Sequence, residues 1–297
     1  MLFSGKSFFA VATLASLGSS LGSKALGRYY REEKPETRSH LQEPPGRSLI
    51  VGGTPRDIPD YFVDLLICGG TLVHEDVVLT AAHCNNPFLP GVAYVGPNGD
   101  FRELTKATMH PAYGSNHEDF DFMLAKIDKI DNPTLVELNP NSAIPAVNDD
   151  IRIMGHGIKS FTDPGDDFTF TEATLQVVSN AQCAAAYSNF DVSNFDGLPV
   201  TEQMYCAAAP GKDSCHGDSG GPAIVGDNTQ VGIISWGIGC ADPDFPGVYA
   251  KVSEAYDWIQ RQICCLSENP PADCPVVRLF CRLFSCVLCV QIQLVHH

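Results

Sequence analysis

The sequence predicts an all-β fold, a sandwich or a barrel, that begins near residue 50 and ends in one helix. Short β-prone runs recur, among them Thr71 to Thr80, Asp150 to Met154, Thr174 to Ser179, Gln230 to Trp236 and Gly247 to Val252. Gly, Pro, Asn and Asp fill the gaps between them, which is the rhythm of strands joined by tight turns. Near residue 255 the period changes. Ala255, Trp258, Ile259 and Ile263 fall roughly on one face of a helix that Ser253 can cap.

The segments outside this region read differently. Residues 1–23 carry one lysine, an apolar run from Phe8 to Leu21 and then small residues, the pattern of a signal peptide. The run is too short to span a bilayer. Residues 24–49 hold Glu32, Glu33, Lys34 and Pro35, then Pro44, Pro45 and Gly46, and contain nothing that can build a core. They read as a propeptide or linker. Residues 264–297 form a Cys-rich apolar tail of unassigned role. Arg278 and Arg282 interrupt its apolar stretch, so a spanning helix is expensive and a surface-lying segment is easier.

Composition narrows the function. The formal net charge of -16 argues against nucleic acid, whose phosphates need a basic patch. It would steer cationic substrates, or simply keep the protein soluble. The 12 cysteines are too many for an ordinary cytosolic enzyme, and zinc-type pairs are scarce. Disulfides in an oxidising, extracellular setting explain them better.

Three motifs carry chemistry. Cys215-His216-Gly217-Asp218-Ser219-Gly220-Gly221-Pro222 offers a hydroxyl on a glycine-rich turn, where backbone N–H groups can face a developing oxyanion. Leu79-Thr80-Ala81-Ala82-His83-Cys84 places a histidine beside a cysteine that a disulfide could clamp, which suits a general base. Standing alone, that histidine would be read as packing. Asp119-Phe120-Asp121-Phe122-Met123-Leu124 opens an apolar strand with an acid that needs a polar partner, and either aspartate could supply it.

Together these motifs resemble the trypsin and chymotrypsin family of serine proteases, with the chain order His, Asp, Ser. The resemblance covers about residues 50 to 263. It includes Ile50-Val51-Gly52-Gly53, Cys68-Gly69-Gly70, Ser235-Trp236-Gly237 and Pro246-Gly247-Val248-Tyr249. The family's spacing from His110-Pro111 selects Asp121 over Asp119.

The resemblance implies two six-stranded Greek-key β-barrels with a C-terminal helix, a peptidase domain over residues 50–263, and a triad of His83, Asp121 and Ser219. It implies an oxyanion hole from the N–H groups of Gly217 and Ser219, and a substrate pocket from Asp213, Ser235, Gly237 and Gly247. Asp213 at the pocket base would select Arg or Lys, although it could be a mere loop acid. Disulfides Cys68–Cys84, Cys183–Cys206 and Cys215–Cys240 follow by position, leaving six tail cysteines to pair in an undetermined way. No metal and no organic cofactor is expected. The partners expected are peptide or protein substrates and an activating protease.

The sequence departs from the family at several points. Leu49, rather than a basic residue, precedes Ile50, whose freed N-terminus would pair with Asp218. Cleavage after Arg47 would leave Ser48 and Leu49 attached. The segment from Cys84 to His110 lacks the paired acidic loop of calcium-binding members, and the stretch from Pro59 to Cys68 is short. His156 stands where the family usually has Trp. Two rival readings accompany a secreted endopeptidase: a non-catalytic homologue acting as a binding or decoy protein, and a protease whose tail associates with a membrane.

Overall fold

The computed structural model describes residues 50–85, 91–115, 117–156, 169–188, 191–192, 195–196 and 199–274. The expectations for residues 1–49 and 275–297 lie outside the described residues.

After β1 (Thr54–Pro55), six strands close into an antiparallel barrel: β2 (Phe62–Asp64), β3 (Gly69–His74), β4 (Val77–Thr80), β5 (Val92–Val95), β6 (Asp100–Met109) and β7 (Met123–Ile127). Around the barrel the order is β2-β3-β4-β7-β6-β5. The run Thr71 to Thr80 is therefore a hairpin, with its turn at Glu75 and Asp76. Alternation decides which side chains fill the barrel. Leu72, Leu79, Ala93, Val95 and Leu124 are buried among the core residues.

A short strand β8 (Glu137–Leu138) runs to the second half, where β9 (Asp150–Gly155) and β10 (Thr171–Val178) pair in register from Thr171–Gly155 to Gln176–Asp150. Helix α1 (Asn180–Tyr187) starts with a capping box, Ser179 accepting from the Gln182 amide while Gln182 accepts from the Ser179 amide. The small hairpin β11 (Asp191–Val192) and β12 (Phe195–Asp196) follows. Then β13 (Met204–Ala208), β14 (Pro222–Val225), β15 (Thr229–Trp236) and β16 (Gly247–Lys251) complete the sheet. Because β9 pairs both β10 and β14, the ring β9-β10-β13-β16-β15-β14 is itself closed. The fold is thus two closed six-stranded antiparallel barrels followed by a helix, as in chymotrypsin-like proteins.

Helix α2 (Val252–Leu266) begins at Lys251, and no side chain caps it. Ser253 is not the cap, because it lies inside the first turn and its hydroxyl donates to Glu254. Trp258, Ile259 and Ile263 are buried, as the period requires, each contributing about 1.5–3 kcal/mol. The helix continues through Cys264 and Cys265, so a boundary at 263 falls within it. No helix among the described residues is long and apolar enough to cross a membrane.

The segment after α2 is fastened to the first barrel. Asp76, fully buried in the β3–β4 turn, accepts from the Glu268 amide at 2.9 Å, faces Lys126 Nζ at 3.2 Å and His74 Nδ1 at 2.8 Å. Burial alone would raise its carboxyl, but contacts with His74, Glu268, Ser267 and Lys126 hold it well below the ordinary value of 3.8. A disulfide, Cys264–Cys274, closes the same segment.

Candidate active site

Thr80 ends β4, and the chain turns into a single 3-10 turn, Ala82–Cys84, that carries His83. Cys84 is bonded to Cys68, the residue just before β3, which ties that turn to the barrel. Asp121 precedes β7 and has no exposed surface. Its Oδ1 accepts from the His83 main-chain N–H at 2.9 Å, and its Oδ2 lies 2.6 Å from His83 Nδ1. The same carboxylate therefore holds both the backbone and the ring of His83. A carboxylate accepts but does not donate, so Nδ1 carries the proton and Nε2 is left as an acceptor.

Asp119 does not compete. Its Oδ1 accepts from the Thr201 hydroxyl, away from His83. The segment that presents Asp121 is bent by left-handed backbone at His117 (φ 55°) and Phe120 (φ 51°). Such conformations are unfavourable for bulky residues and recur at functional sites.

Ser219 sits in the turn between the Cys215–Cys240 disulfide and β14. The turn is pinned to the first barrel, with the Gly69 N–H donating to the Ser219 carbonyl at 2.7 Å. Gly220 (φ +78°) lies so close that a Cβ there would stand 2.2 Å from Thr80 Oγ1 and 2.5 Å from the Gly69 carbonyl, so nothing larger fits. Asp218 N–H donates to the Cys215 carbonyl and Gly220 N–H to the Ile234 carbonyl. Among the described residues the N–H groups of Gly217 and Ser219 have no such bond. Gly217 has φ +95°, a conformation that glycine adopts without steric cost.

A cavity of about 170 Å³ opens beside Ser219, lined among others by Asp213, Ser235, Gly237 and Gly247. Asp213 is 7% exposed, and its two oxygens accept from the Ser214 and Ala241 amides at 2.8 and 2.9 Å. Burial pushes its carboxyl upward, partly offset by those amides. Gly247 leaves room for this acid, since a Cβ there would stand 2.9 Å from Asp213 Oδ1. At Gly237 a Cβ would meet nothing nearer than 3.9 Å. Ser235 has a second engagement that the sequence did not reveal: its hydroxyl donates to Asp121 Oδ2 at 2.6 Å.

The start of the domain reaches the same pocket. Ile50 is buried in the core of the second barrel with Ile151 and Tyr249. Val51 exchanges both backbone hydrogen bonds with Asp213, at 2.8 and 3.2 Å. Asp218 is buried, with Oδ2 accepting from the Cys215 amide at 2.9 Å. Its Oδ1 lies against Gly155, where a Cβ would stand 2.3 Å away.

All three disulfides expected by position are formed: Cys68–Cys84, Cys183–Cys206 and Cys215–Cys240. His156 packs edge-on against Phe62 and Phe170, with Nδ1 3.5 Å from Asp64. It thus lies against two aromatic rings.

Sequence reasoning missed Glu118. Its carboxylate, a ring nitrogen of His83 and an Asp121 oxygen all lie within 4.8 Å of one another. On His83, burial lowers the imidazole pKa, but the bond to Asp121 and the charges of Asp121 and Glu118 outweigh it, so the net shift is upward. The arrangement gives His83 a fixed tautomer and a raised pKa, and gives the cavity that opens on Ser219 a buried carboxylate, Asp213.

The chain matches the family model described as Trypsin over residues 50–259. It is 33% identical to Hypodermin-A of Hypoderma lineatum, over 72% of this chain and 86% of that protein. It is 32% identical to a trypsin of Phaedon cochleariae, over 72% of this chain and 88% of that protein. It is 35% identical to Beta-fibrinogenase brevinase of Gloydius blomhoffii, over 76% of this chain and all of that protein.

Proposed function

This chain belongs to the trypsin family and is a serine endopeptidase, and we propose that it is secreted and cleaves peptide bonds after Arg or Lys. One observation carries the substrate choice. A buried carboxylate, Asp213, stands in a cavity that also opens on Ser219. The Ser214 and Ala241 amides offset the cost of burying that acid only in part, and no opposite charge stands beside it among the described residues. A guanidinium or ammonium brought by the substrate supplies one, with a charge-assisted bond contributing roughly 1.5–3 kcal/mol.

The reaction then follows from the named groups. Ser219 Oγ attacks the carbonyl carbon, and its proton moves to His83 Nε2. Negative charge develops on the carbonyl oxygen, facing the free N–H groups of Gly217 and Ser219. The C–N bond breaks as His83 returns the proton to the leaving amine. Water repeats the sequence on the acyl-enzyme. Asp121 holds the ring tautomer throughout.

Secretion is supported by the disulfides, which persist in oxidising compartments. Activation is proposed to require a cut between Leu49 and Ile50, so that the Ile50 ammonium pairs with Asp218. Cleavage after Arg47 leaves Ser48 and Leu49 attached, so Ile50 has no free ammonium to offer Asp218. An activating protease that accepts Leu, or a dipeptide-removing exopeptidase, is therefore a partner.

The test is a cleavage profile. The chain carrying Leu49→Arg is cut before Ile50 and offered a peptide library. Cleavage after Arg and Lys is expected. Preference for aromatic residues overturns the reading.

A further inference from the structure

We propose that Glu118 is a positioning residue for the reaction: a second carboxylate, beside Asp121, that stabilises the imidazolium formed when Ser219 gives its proton to His83. This rests on His83 being the general base. The geometry carries it. Glu118, His83 and Asp121 bring their ligand-capable atoms within 4.8 Å of one another. Glu118 Oε2 is sealed from solvent and has no hydrogen-bond partner among the described residues. A surface acid would turn such an oxygen to water. Here it is held inward, where its charge is poorly screened.

The backbone explains how it gets there. His117 and Phe120, on either side of it in the chain, both have left-handed φ, and the Gly114 amide bonds back to the Asp119 carbonyl. His117 turns its ring onto Trp236, with centroids 5.1 Å apart. Asp119 is tied to Thr201. Glu118 is thus the one of these three neighbours that faces His83. Among the described residues, the charged groups acting on His83 are Asp121 from the start of β7 and Glu118 from the loop before it. β15 contributes only the neutral Ser235 hydroxyl, bonded to Asp121.

The division of labour between the two acids differs. Asp121 bonds to the ring and sets its tautomer. Among the described residues Glu118 makes no hydrogen bond to the ring, and it acts through charge. Two unit charges about 4 Å apart attract by about 1 kcal/mol even at the dielectric of water, which is about fivefold in rate. The attraction is absent while the imidazole is neutral and present once it is protonated. It therefore favours the transition state over the ground state. It also favours the resting protonated form, which is inactive, so the same charge raises the pH at which activity is lost.

The measurement is the pH profile of kcat/KM for the activated full chain, Glu118→Gln and Glu118→Asp, at low and high salt. Glu118→Gln is expected to lower the plateau roughly three- to tenfold and to move the acidic midpoint down. Glu118→Asp is expected to restore part of both. Added salt is expected to leave the gap between the midpoints of the native enzyme and Glu118→Gln largely intact, because a partly buried pair is screened little. A loss of plateau with an unmoved midpoint means a structural role and overturns the proposal, as does an unchanged profile. Failure of the underlying reading shows differently, as peptidase activity that survives Ser219→Ala.

Discussion

The Ser235 hydroxyl on β15 donates at 2.6 Å to Asp121 Oδ2, on the segment leading into β7, so one hydrogen bond links the two barrels through the acid of the site. The acid also holds the His83 ring and main chain. Replacing Ser235 with Ala removes a bond to a fully buried charged group. The expected cost is about 1.5–3 kcal/mol of unfolding free energy, read by urea denaturation, together with a lower kcat. Unchanged stability and kcat would show that Asp121 is held by His83 alone.

Activity should fall on the acid side at a pH above the ordinary imidazole value of 6.5. Asp121 and Glu118 together raise the His83 pKa against the effect of burial. The neutral ring is the active form, so raising its pKa moves the loss of activity to higher pH. Titration of the free enzyme's kcat/KM checks this. A midpoint below 6.5 would mean that desolvation wins.

Asp213→Ser should abolish most cleavage after Arg and Lys while leaving the fold intact, as judged by melting temperature. Gly247→Ala should act on the same selectivity by a different route. Its Cβ would stand 2.9 Å from Asp213 Oδ1 and displace the acid. Gly237→Ala meets nothing within 3.9 Å of its Cβ and should be milder. Equal losses in the two alanine variants would argue that the cavity discriminates by size rather than by the place of its charge.

The segment after α2 should matter for stability. Asp76→Ala leaves the buried Lys126 with only the Ile127 carbonyl and the exposed Glu268 carboxylate, and should cost up to about 3–5 kcal/mol. The native Asp76 has a depressed pKa, so it stabilises the fold above the unfolded value near 3.8. That stability is lost as the pH falls below 3.8 toward the folded value. Denaturation of the native chain and Asp76→Ala across the acid range checks this, with the difference between them shrinking as acid is added.

Much of this was legible from residue order because the key signals are local. The glycines around Ser219, the cysteine beside His83 and the strand after Asp121 each stand within a few residues of the group they serve. The apolar runs also mapped closely onto strands, as Gln230 to Trp236 did onto β15. Strand β6, Asp100–Met109, was not foreseen, since its surface is mostly exposed and its sequence is charged. The choice between Asp119 and Asp121 needed the family's spacing, because it depends on Thr201, 82 residues away in the chain. Glu118 left no trace in sequence pattern. Its placement comes from positive φ at His117 and Phe120, which no residue preference announces. The helix start was misplaced because Ser253 looks like a cap, whereas packing of Val252 brings the helix in earlier.

The Leu49→Arg chain, cut before Ile50, is treated with an arginine-like phosphonate, and the modified residue is identified by peptide mass spectrometry. Stoichiometric phosphonylation of Ser219 is expected, lost in His83→Ala and slowed in Asp213→Ser. A chain beginning at Ile50 that takes no label at Ser219, or takes it elsewhere, is not a serine peptidase working through Ser219.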